Sequence, residues 1–395
     1  MTWFVPGRLE VLGKHTDYAG GSSLLAAVDR GVTVSLSDGD SGVTATSTAL
    51  PGELRLAAGA SPALPPGHWG HYVQSVLDRL ALNFGDLRPA RLVVDSDLPL
   101  ASGMSSSSAL VVAVALALID HNGLRDRDEW RSAIADDIDL AGYLATMENG
   151  LSFGPLEGRR GVGTFGGSED HTAMLCCREG RLSEFAFCPI VERGSVPMPE
   201  GWSFVVAVSG VLAEKTGAAL EAYNEASALA REIVDEWNDV MGRSDATLAD
   251  ALASGEDAML ALEAITEHDE WWSDRLRAFL TESTVAIPRA LAALRSGDVA
   301  AFGAAADLSH RTADEALGNQ IPETNRLQAL ARALGAPAAS GFGAGFGGSV
   351  WAMAPTADAD GFAAEWLARY LAEFPDAAAR ATTLVTRPGP PAHRV

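Results

Sequence analysis

An α+β fold in two domains is predicted for this chain. Strand-like and helical segments follow one another without a regular strand–helix–strand alternation, and a long helical stretch separates the strands of the two halves. Residues 32–37, Val-Thr-Val-Ser-Leu-Ser, alternate with a period of two and read as a strand, as do residues 91–96. The Ala/Val/Leu run at 109–120 is long enough for a buried helix, and 130–148 also reads as helical. Residues 152–167 are glycine-rich and predict a loop, with a strand expected near Cys176. An apolar strand is expected at 204–208, helices over most of 215–295 and at 299–314 and 323–334, and a strand at 349–353. A helix at 358–373 and a strand at 382–386 close the chain. Residues 189–200 hold three prolines and predict a loop, which places a domain boundary between 1–195 and 196–395.

With 395 residues the chain is long enough for two domains of ordinary size. Its 47% hydrophobic content can build a core. Acidic residues outnumber basic ones, 52 to 29, for a formal charge of −23. That balance excludes a nucleic-acid partner, which needs clustered Lys and Arg, and an anionic membrane surface. The longest apolar run, 109–119, is about half a membrane span. Three cysteines, Cys176, Cys177 and Cys188, make neither a disulfide framework nor a zinc site, so a reduced, cytoplasmic setting is expected.

Glycine is abundant, 40 residues, and much of it is clustered. Residues 99–108, Pro-Leu-Ala-Ser-Gly-Met-Ser-Ser-Ser-Ser, precede the apolar helix. Backbone N–H groups of such a loop, with the helix dipole, can converge on phosphate, and a serine hydroxyl can ligate Mg²⁺; an ordinary serine-rich helix cap is the other reading. Residues 341–348, Gly-Phe-Gly-Ala-Gly-Phe-Gly-Gly, contain a formal G-x-G-x-x-G. A helix is expected before it and a strand after it, the wrong setting for a dinucleotide site, so close backbone packing is the expectation. At the amino end stands Pro6-Gly7-Arg8-Leu9-Glu10-Val11-Leu12-Gly13-Lys14-His15-Thr16-Asp17-Tyr18-Ala19-Gly20-Gly21. His15 and Asp17, two apart, face one side of an extended segment and suit vicinal hydroxyls. In Gly166-Gly167-Ser168-Glu169-Asp170-His171, Asp170 reads as a base, a metal ligand or a helix cap, and His171 as structural.

In this order and at these separations the clusters resemble the motifs of the GHMP small-molecule kinases, the galactokinase group in particular, from residue 6 to residue 350. The resemblance implies an amino-terminal domain like ribosomal protein S5 domain 2 and a ferredoxin-like carboxy-terminal domain, with the site between them. It implies ATP and Mg²⁺ as cofactors and phosphorylation of a sugar's anomeric hydroxyl. By position it makes Asp170 the catalytic aspartate and Arg8 its partner, and assigns sugar contacts to Lys14, His15, Thr16, Asp17, Gly167, Asp170 and Tyr223. It assigns the nucleotide to Ser102, Gly103, Met104, Ser105, Ser106, Ser107 and Ser108, supported by Gly345 and Gly347. The metal falls to Ser107 and Glu148, with Glu157 competing.

One residue departs from the pattern. Galactokinases carry Glu where this chain has Lys14, which exchanges an acceptor for the sugar's C6 hydroxyl for a donor. A uronic or otherwise C6-modified sugar is therefore expected beside galactose itself, unless Lys14 points away. Two further readings stay open. A GHMP kinase for a non-sugar alcohol is opposed by the His15–Tyr18 segment, and a galactokinase-like sugar sensor by the presence of both Arg8 and Asp170. A monomer or weak dimer is expected.

Overall fold

The computed structural model describes residues 1–99, 102–211 and 218–395, without the side chains of 218–220. Leu100 and Ala101 of the phosphate-loop motif, and Lys215 at the expected start of the helical stretch, lie outside the described residues.

In chain order the first half comprises β1 (Thr2–Leu12), β2 (Ser22–Asp38), β3 (Val43–Ser47), β4 (Glu53–Leu56), α1 (Gly70–Phe84), β5 (Ala90–Ser96), α2 (Ser106–Asn122), α3 (Asp128–Ala133), α4 (Asp137–Asn149), α5 (Glu169–Cys176), β6 (Arg181–Ala186) and β7 (Val191–Pro197). The second half comprises β8 (Trp202–Val208), α6 (Ala218–Met241), α7 (Leu248–Leu252), α8 (Ala258–Thr266), α9 (Glu270–Leu280), a π-helical turn (Thr281–Ala286), α10 (Ile287–Ser296), α11 (Val299–Glu315), α12 (Pro322–Ala333), β9 (Ala339–Phe342), β10 (Ser349–Pro355), α13 (Ala359–Glu373), β11 (Thr382–Thr386) and β12 (His393–Arg394). Two sheets organise this mixed α+β chain. The first has the order β12-β1-β2-β5-β3-β4, with β6 on β2 and β7 on β6; the second is β11-β8-β10-β9.

Several expectations are corrected. The segment around Cys176 is the end of helix α5, not a strand; the strand comes later, at β6. The loop expected at 189–200 holds β7, antiparallel to β6, so the change of sheet falls at 198–201. A short strand, β9, follows α12 and contains the first two residues of the second glycine cluster, Gly341 and Phe342. Because β10, a strand, still follows, the cluster opens no helix and the exclusion of a dinucleotide site is unaffected. Helix α1 was not among the expected elements, although Val73, Val76, Leu77 and Leu80, all buried, stand at i, i+3, i+4 and i+7.

Helix α2 has no polar face. Every residue from 109 to 119 is buried, and the helix packs on β1, β2, α1, α4 and α5. A helix apolar all round needs such a central position. Its amino end is therefore held rigidly where β1 passes. At that point Gly7 leaves no room for a side chain: a Cβ there would lie 2.7 Å from Leu98 Cδ2 and 3.0 Å from Met104 O. A bulge between Pro6 and Arg8 accompanies this approach, and the Arg8 N–H donates to Met104 O at 3.2 Å.

Strand β8 reads as a continuous apolar run because both of its faces are covered. Phe204 and Val206 join the main core, while Val205 and Ala207 pack with Trp366 and Tyr370 of α13. A third cluster, built from Ile233, Trp237, Leu276 and Phe279 of α6 and α9, encloses Ala19 and Tyr18 of the amino-terminal motif. Among the described residues, no helix is long and apolar enough to cross a membrane.

Candidate functional site

One cavity collects residues from both halves of the chain. Its lining includes Arg8, Glu10, His15, Asp17, Ser108, Glu148, Gly167, Glu169, Asp170, His171, Tyr223, Gly343 and Ala344. At its centre Arg8 Nε donates to Asp170 Oδ1 at 2.7 Å. The Ser108 hydroxyl donates to Asp170 Oδ2 at 3.2 Å. Arg8 Nη1 also donates to the carbonyl of Gly103. Strand β1, the first turn of α5 and the first turn of α2 are thus tied together through one carboxylate. Burial by itself would lower the Arg8 pKa, but Asp170, Glu169 and Glu10 more than offset this and push it upward. The guanidinium is a fixed cation in a wall otherwise rich in carboxyl groups.

Asp17 is oriented by backbone donors. The Tyr18 N–H gives to Oδ1 at 2.8 Å and the Glu169 N–H approaches Oδ2 at 3.4 Å. Gly167 packs directly on it: a Cβ there would lie 2.4 Å from Asp17 Oδ2 and 3.1 Å from Tyr18 N. On the kinase expectation, Gly167→Ala should displace Asp17 and raise KM for the acceptor substrate about tenfold or more, with a smaller change in KM for ATP. Steady-state kinetics with each substrate varied in turn checks this.

His15 adopts φ 57°, so the extended geometry expected for 15–17 is replaced by a turn, with Asp17 opening a 3₁₀ helix. Its Nε2 is 3.0 Å from Ala344 O and its Nδ1 is 2.8 Å from Tyr18 Oη. A carbonyl only accepts, so Nε2 carries the proton and Nδ1 accepts from the tyrosine. Burial lowers the His15 pKa to about 3, the Ala344 bond opposing and Arg275 and Lys14 adding to the shift, which leaves the ring neutral. Both nitrogens are occupied, so His15 faces the cavity mainly as an aromatic wall, its ring 5.0 Å from that of Tyr223.

Lys14 and Thr16 are absent from the lining. Thr16 is fully buried, and its hydroxyl donates to Gly13 O and Ser22 O, both at 2.8 Å. The Lys14 ammonium, 1% exposed, donates to Ser309 Oγ at 2.6 Å and lies 3.7 Å from Glu282 Oε1. Glu282 also accepts from the Gly13 N–H at 3.1 Å. Sequence reasoning assigned nothing to the helical stretch besides Tyr223, yet Arg275 clamps the same motif by donating to His15 O at 2.7 Å. These long-range partners leave no periodic signal.

In the 102–108 loop, Ser105 takes φ 56° immediately before α2 and Gly103 φ 72°, which turns the 102–105 backbone sharply into the helix. Ser349 Oγ donates to Ser102 O at 2.6 Å. Ser108, not Ser107, reaches Asp170; Ser107 is half-buried and outside the lining. Gly343 packs on Gly103: a Cβ on Gly343 would lie 3.1 Å from Gly103 O, and one on Gly345 would meet Asn319 O at 2.4 Å. Gly345 is accordingly required by loop packing and by its φ of 79°, and Gly347 by its φ of 134°. Among the described residues, Ser102, Gly103, Met104, Ser105, Ser106, Gly345 and Gly347 do not enter the lining.

Glu148 lines the cavity, with Oε1 3.3 Å from His171 Nε2, whereas Glu157 is exposed. No group of three or more His, Cys, Asp or Glu among the described residues is arranged to hold a metal ion. Oxygen donors from Glu148 and a serine of α2 still suit Mg²⁺, which takes one or two protein ligands when phosphates supply others. Glu10, Glu169 and His171 were not assigned to the site from sequence. The signal for Glu10 was its place two residues after Arg8 on one strand.

Known proteins resemble this chain over most of its length. Three family profiles match in order: the galactokinase galactose-binding signature over residues 1–38, the GHMP kinases N terminal domain over 71–149 and the GHMP kinases C terminal over 290–372. A galactokinase of Streptomyces coelicolor is 29% identical over 91% of this chain and 85% of its own length. One of Chloroflexus aggregans is 28% identical over 92% and 86%. The crystal structure of Lactococcus lactis galactokinase complexed with galactose superposes with a TM-score of 0.81 at 21% identity, covering 100% of this chain and 95% of that one. At that identity the superposition establishes the shared two-domain α+β fold. With the profiles and the near-full-length relatives, the chain belongs to the GHMP kinases, as a galactokinase-type sugar kinase.

Proposed function

We propose that this protein uses ATP to phosphorylate the anomeric hydroxyl of galactose or a close neutral relative, in a cleft between domains formed by 1–195 and 196–395. The observation that carries the reading is the Arg8–Asp170–Ser108 chain, with contacts of 2.7 Å and 3.2 Å. It joins the strand of the sugar signature to the helix that begins at the phosphate motif. A sugar hydroxyl at Asp170 would lie beside the amino end of α2, where the helix dipole and loop amides favour the γ-phosphate. Asp170 would accept or orient the hydroxyl proton, and Arg8 would favour the alkoxide-like oxygen. Asp17 would bind sugar hydroxyls, and Tyr223 and His15 would border the ring. Mg²⁺, held by Glu148 and Ser107, would neutralise phosphate charge when bound.

The uronic alternative loses support. Lys14 is engaged by Glu282 and Ser309, while the lining places Glu10, Asp17, Glu148, Glu169 and Asp170 around Arg8. A sugar carboxylate would meet that acidic wall without the cation expected to receive it.

The deciding experiment measures ADP release with galactose, galacturonate and a panel of other sugars. Robust galactose turnover is expected, and preference for galacturonate or for a non-sugar alcohol would overturn the reading. Lys14→Met should keep the ratio of galactose to galacturonate kcat/KM within about threefold, while lowering stability by about 3–5 kcal/mol, because Glu282 loses its buried cation. Kinetics and denaturant unfolding of that variant test both halves of the statement.

A further inference from the structure

Glu10 occupies the cavity wall but has no part in the chemistry described so far. It follows Arg8 by two residues on β1, so the two side chains leave the strand on one face. Glu10 is 3% exposed, and its Oε1 receives no hydrogen bond from the protein. Its carboxyl group lies near enough to that of Glu169 for its charge to raise the Glu169 pKa. Glu169 in turn accepts from Ser23 Oγ at 2.6 Å and has Oε1 3.6 Å from Arg8 Nε. The amine nearest in sequence, Lys14, makes its hydrogen bond to Ser309 instead.

A buried carboxyl oxygen with no donor is unfavourable, and native structures rarely keep one without a use. Here the residue lines a cavity although the oxygen itself is buried, so a small turn of the side chain would let a ligand supply the missing donor. Burial pushes Glu10 up to about 7, opposed by Lys14 and Arg8, and raises Glu169 well above the usual carboxylate range. The pair together remains an acceptor.

We propose that Glu10 is a specificity-determining residue whose Oε1 accepts a hydrogen bond from one hydroxyl of a neutral sugar and disfavours a carboxylate at that carbon. The assignment rests on the sugar-kinase reading above and adds a contact to it. A hydroxyl satisfies the oxygen without adding charge. A carboxylate would add a third carboxyl group to the Glu10–Glu169 pair. No bond is made or broken at Glu10, so its effect belongs in substrate binding and not in the transfer step.

The test compares wild type, Glu10→Ala and Glu10→Gln on galactose and on its 2-, 3-, 4- and 6-deoxy derivatives, with KM for ATP and thermal unfolding measured alongside. Glu10→Ala is expected to raise KM for galactose at least about tenfold, with kcat and KM for ATP changed less than about threefold. For one deoxy sugar, the penalty seen in wild type should largely vanish in Glu10→Ala, which identifies the hydroxyl. Glu10→Gln keeps an acceptor oxygen and should recover part of the affinity. If Glu10→Ala does not fold, Glu10→Gln serves by itself, with an expected KM rise of about threefold and a weaker penalty for the same deoxy sugar. A galactose KM within the measurement error of wild type, or deoxy penalties identical in wild type and variant, overturns the assignment. Wild-type protein that turns over no sugar overturns the underlying reading and this contact with it. Wild-type turnover with indifferent Glu10 variants overturns only the contact.

Discussion

Asp170→Asn should lower kcat by at least about a hundredfold while leaving the fold intact. Asparagine is nearly isosteric with aspartate, and its amide oxygen can still accept from Arg8 Nε, which now lies 2.7 Å from Oδ1. What it lacks is the charge and basicity needed to take or orient the proton of an attacking hydroxyl. Arg8 keeps a second carboxyl group within reach, Glu169 Oε1 at 3.6 Å, and its hydrogen bond to the Gly103 carbonyl, so the loss of Asp170's charge does not strand the guanidinium. Circular dichroism and the unfolding midpoint should therefore stay close to wild type. Single-turnover measurement of sugar phosphate formation isolates the chemical step. A near-wild-type rate would remove Asp170 from the mechanism.

Arg8→Ala should have the largest structural effect of any single change at the site. Arg8 is 4% exposed and pairs with Asp170, lies near Glu169, and donates to the Gly103 carbonyl. Removing it leaves a cluster of buried carboxyl groups without their fixed cation. Breaking a buried pair by deleting one partner costs about 3–5 kcal/mol, and part of that loss would be relieved by protonating the acids that remain. The unfolding midpoint in urea should fall accordingly at pH 7. The loss should shrink at lower pH, because the stranded carboxyl groups then bind protons and cease to repel one another. Arg8→Lys should recover charge but not the geometry that serves Asp170 and Gly103 together, so stability should return further than kcat. Equal losses in the Ala and Lys variants at every pH would contradict this account.

Much of the architecture was legible because its signals are local. The period of two in β2, the unbroken apolar run of α2 and the short strand β11 each follow from the backbone repeat of their own segment. The same holds for the clustered glycines, whose left-handed torsions restrict which side chains can stand there. Where competing local readings were available, prediction failed. Residues 191–197 carry a bulge-like register shift and a proline, and read as loop, but pairing with β6 makes them strand β7. Residues 169–176 form a helix although their polar start and paired cysteines carry little periodicity.

The site divides in the same manner. The residue types that meet at the cavity, Arg8, Asp17, Ser108, Glu148, Asp170 and Tyr223, were named from motifs whose members lie close together in the chain. The orientation of Lys14 was not readable, because its partners Glu282 and Ser309 are far away in the chain and belong to a stretch without a motif. His15 was expected to serve sugar hydroxyls, but Tyr18 and Ala344 occupy its nitrogens. By itself, then, the sequence determined the fold class and the order of the motifs, since these depend on residue type and near-neighbour spacing. Only the tertiary structure decided which side chains face the cavity. That choice is made by hydrogen bonds between distant segments, where a buried polar group goes to whichever partner the packed core brings within about 3 Å.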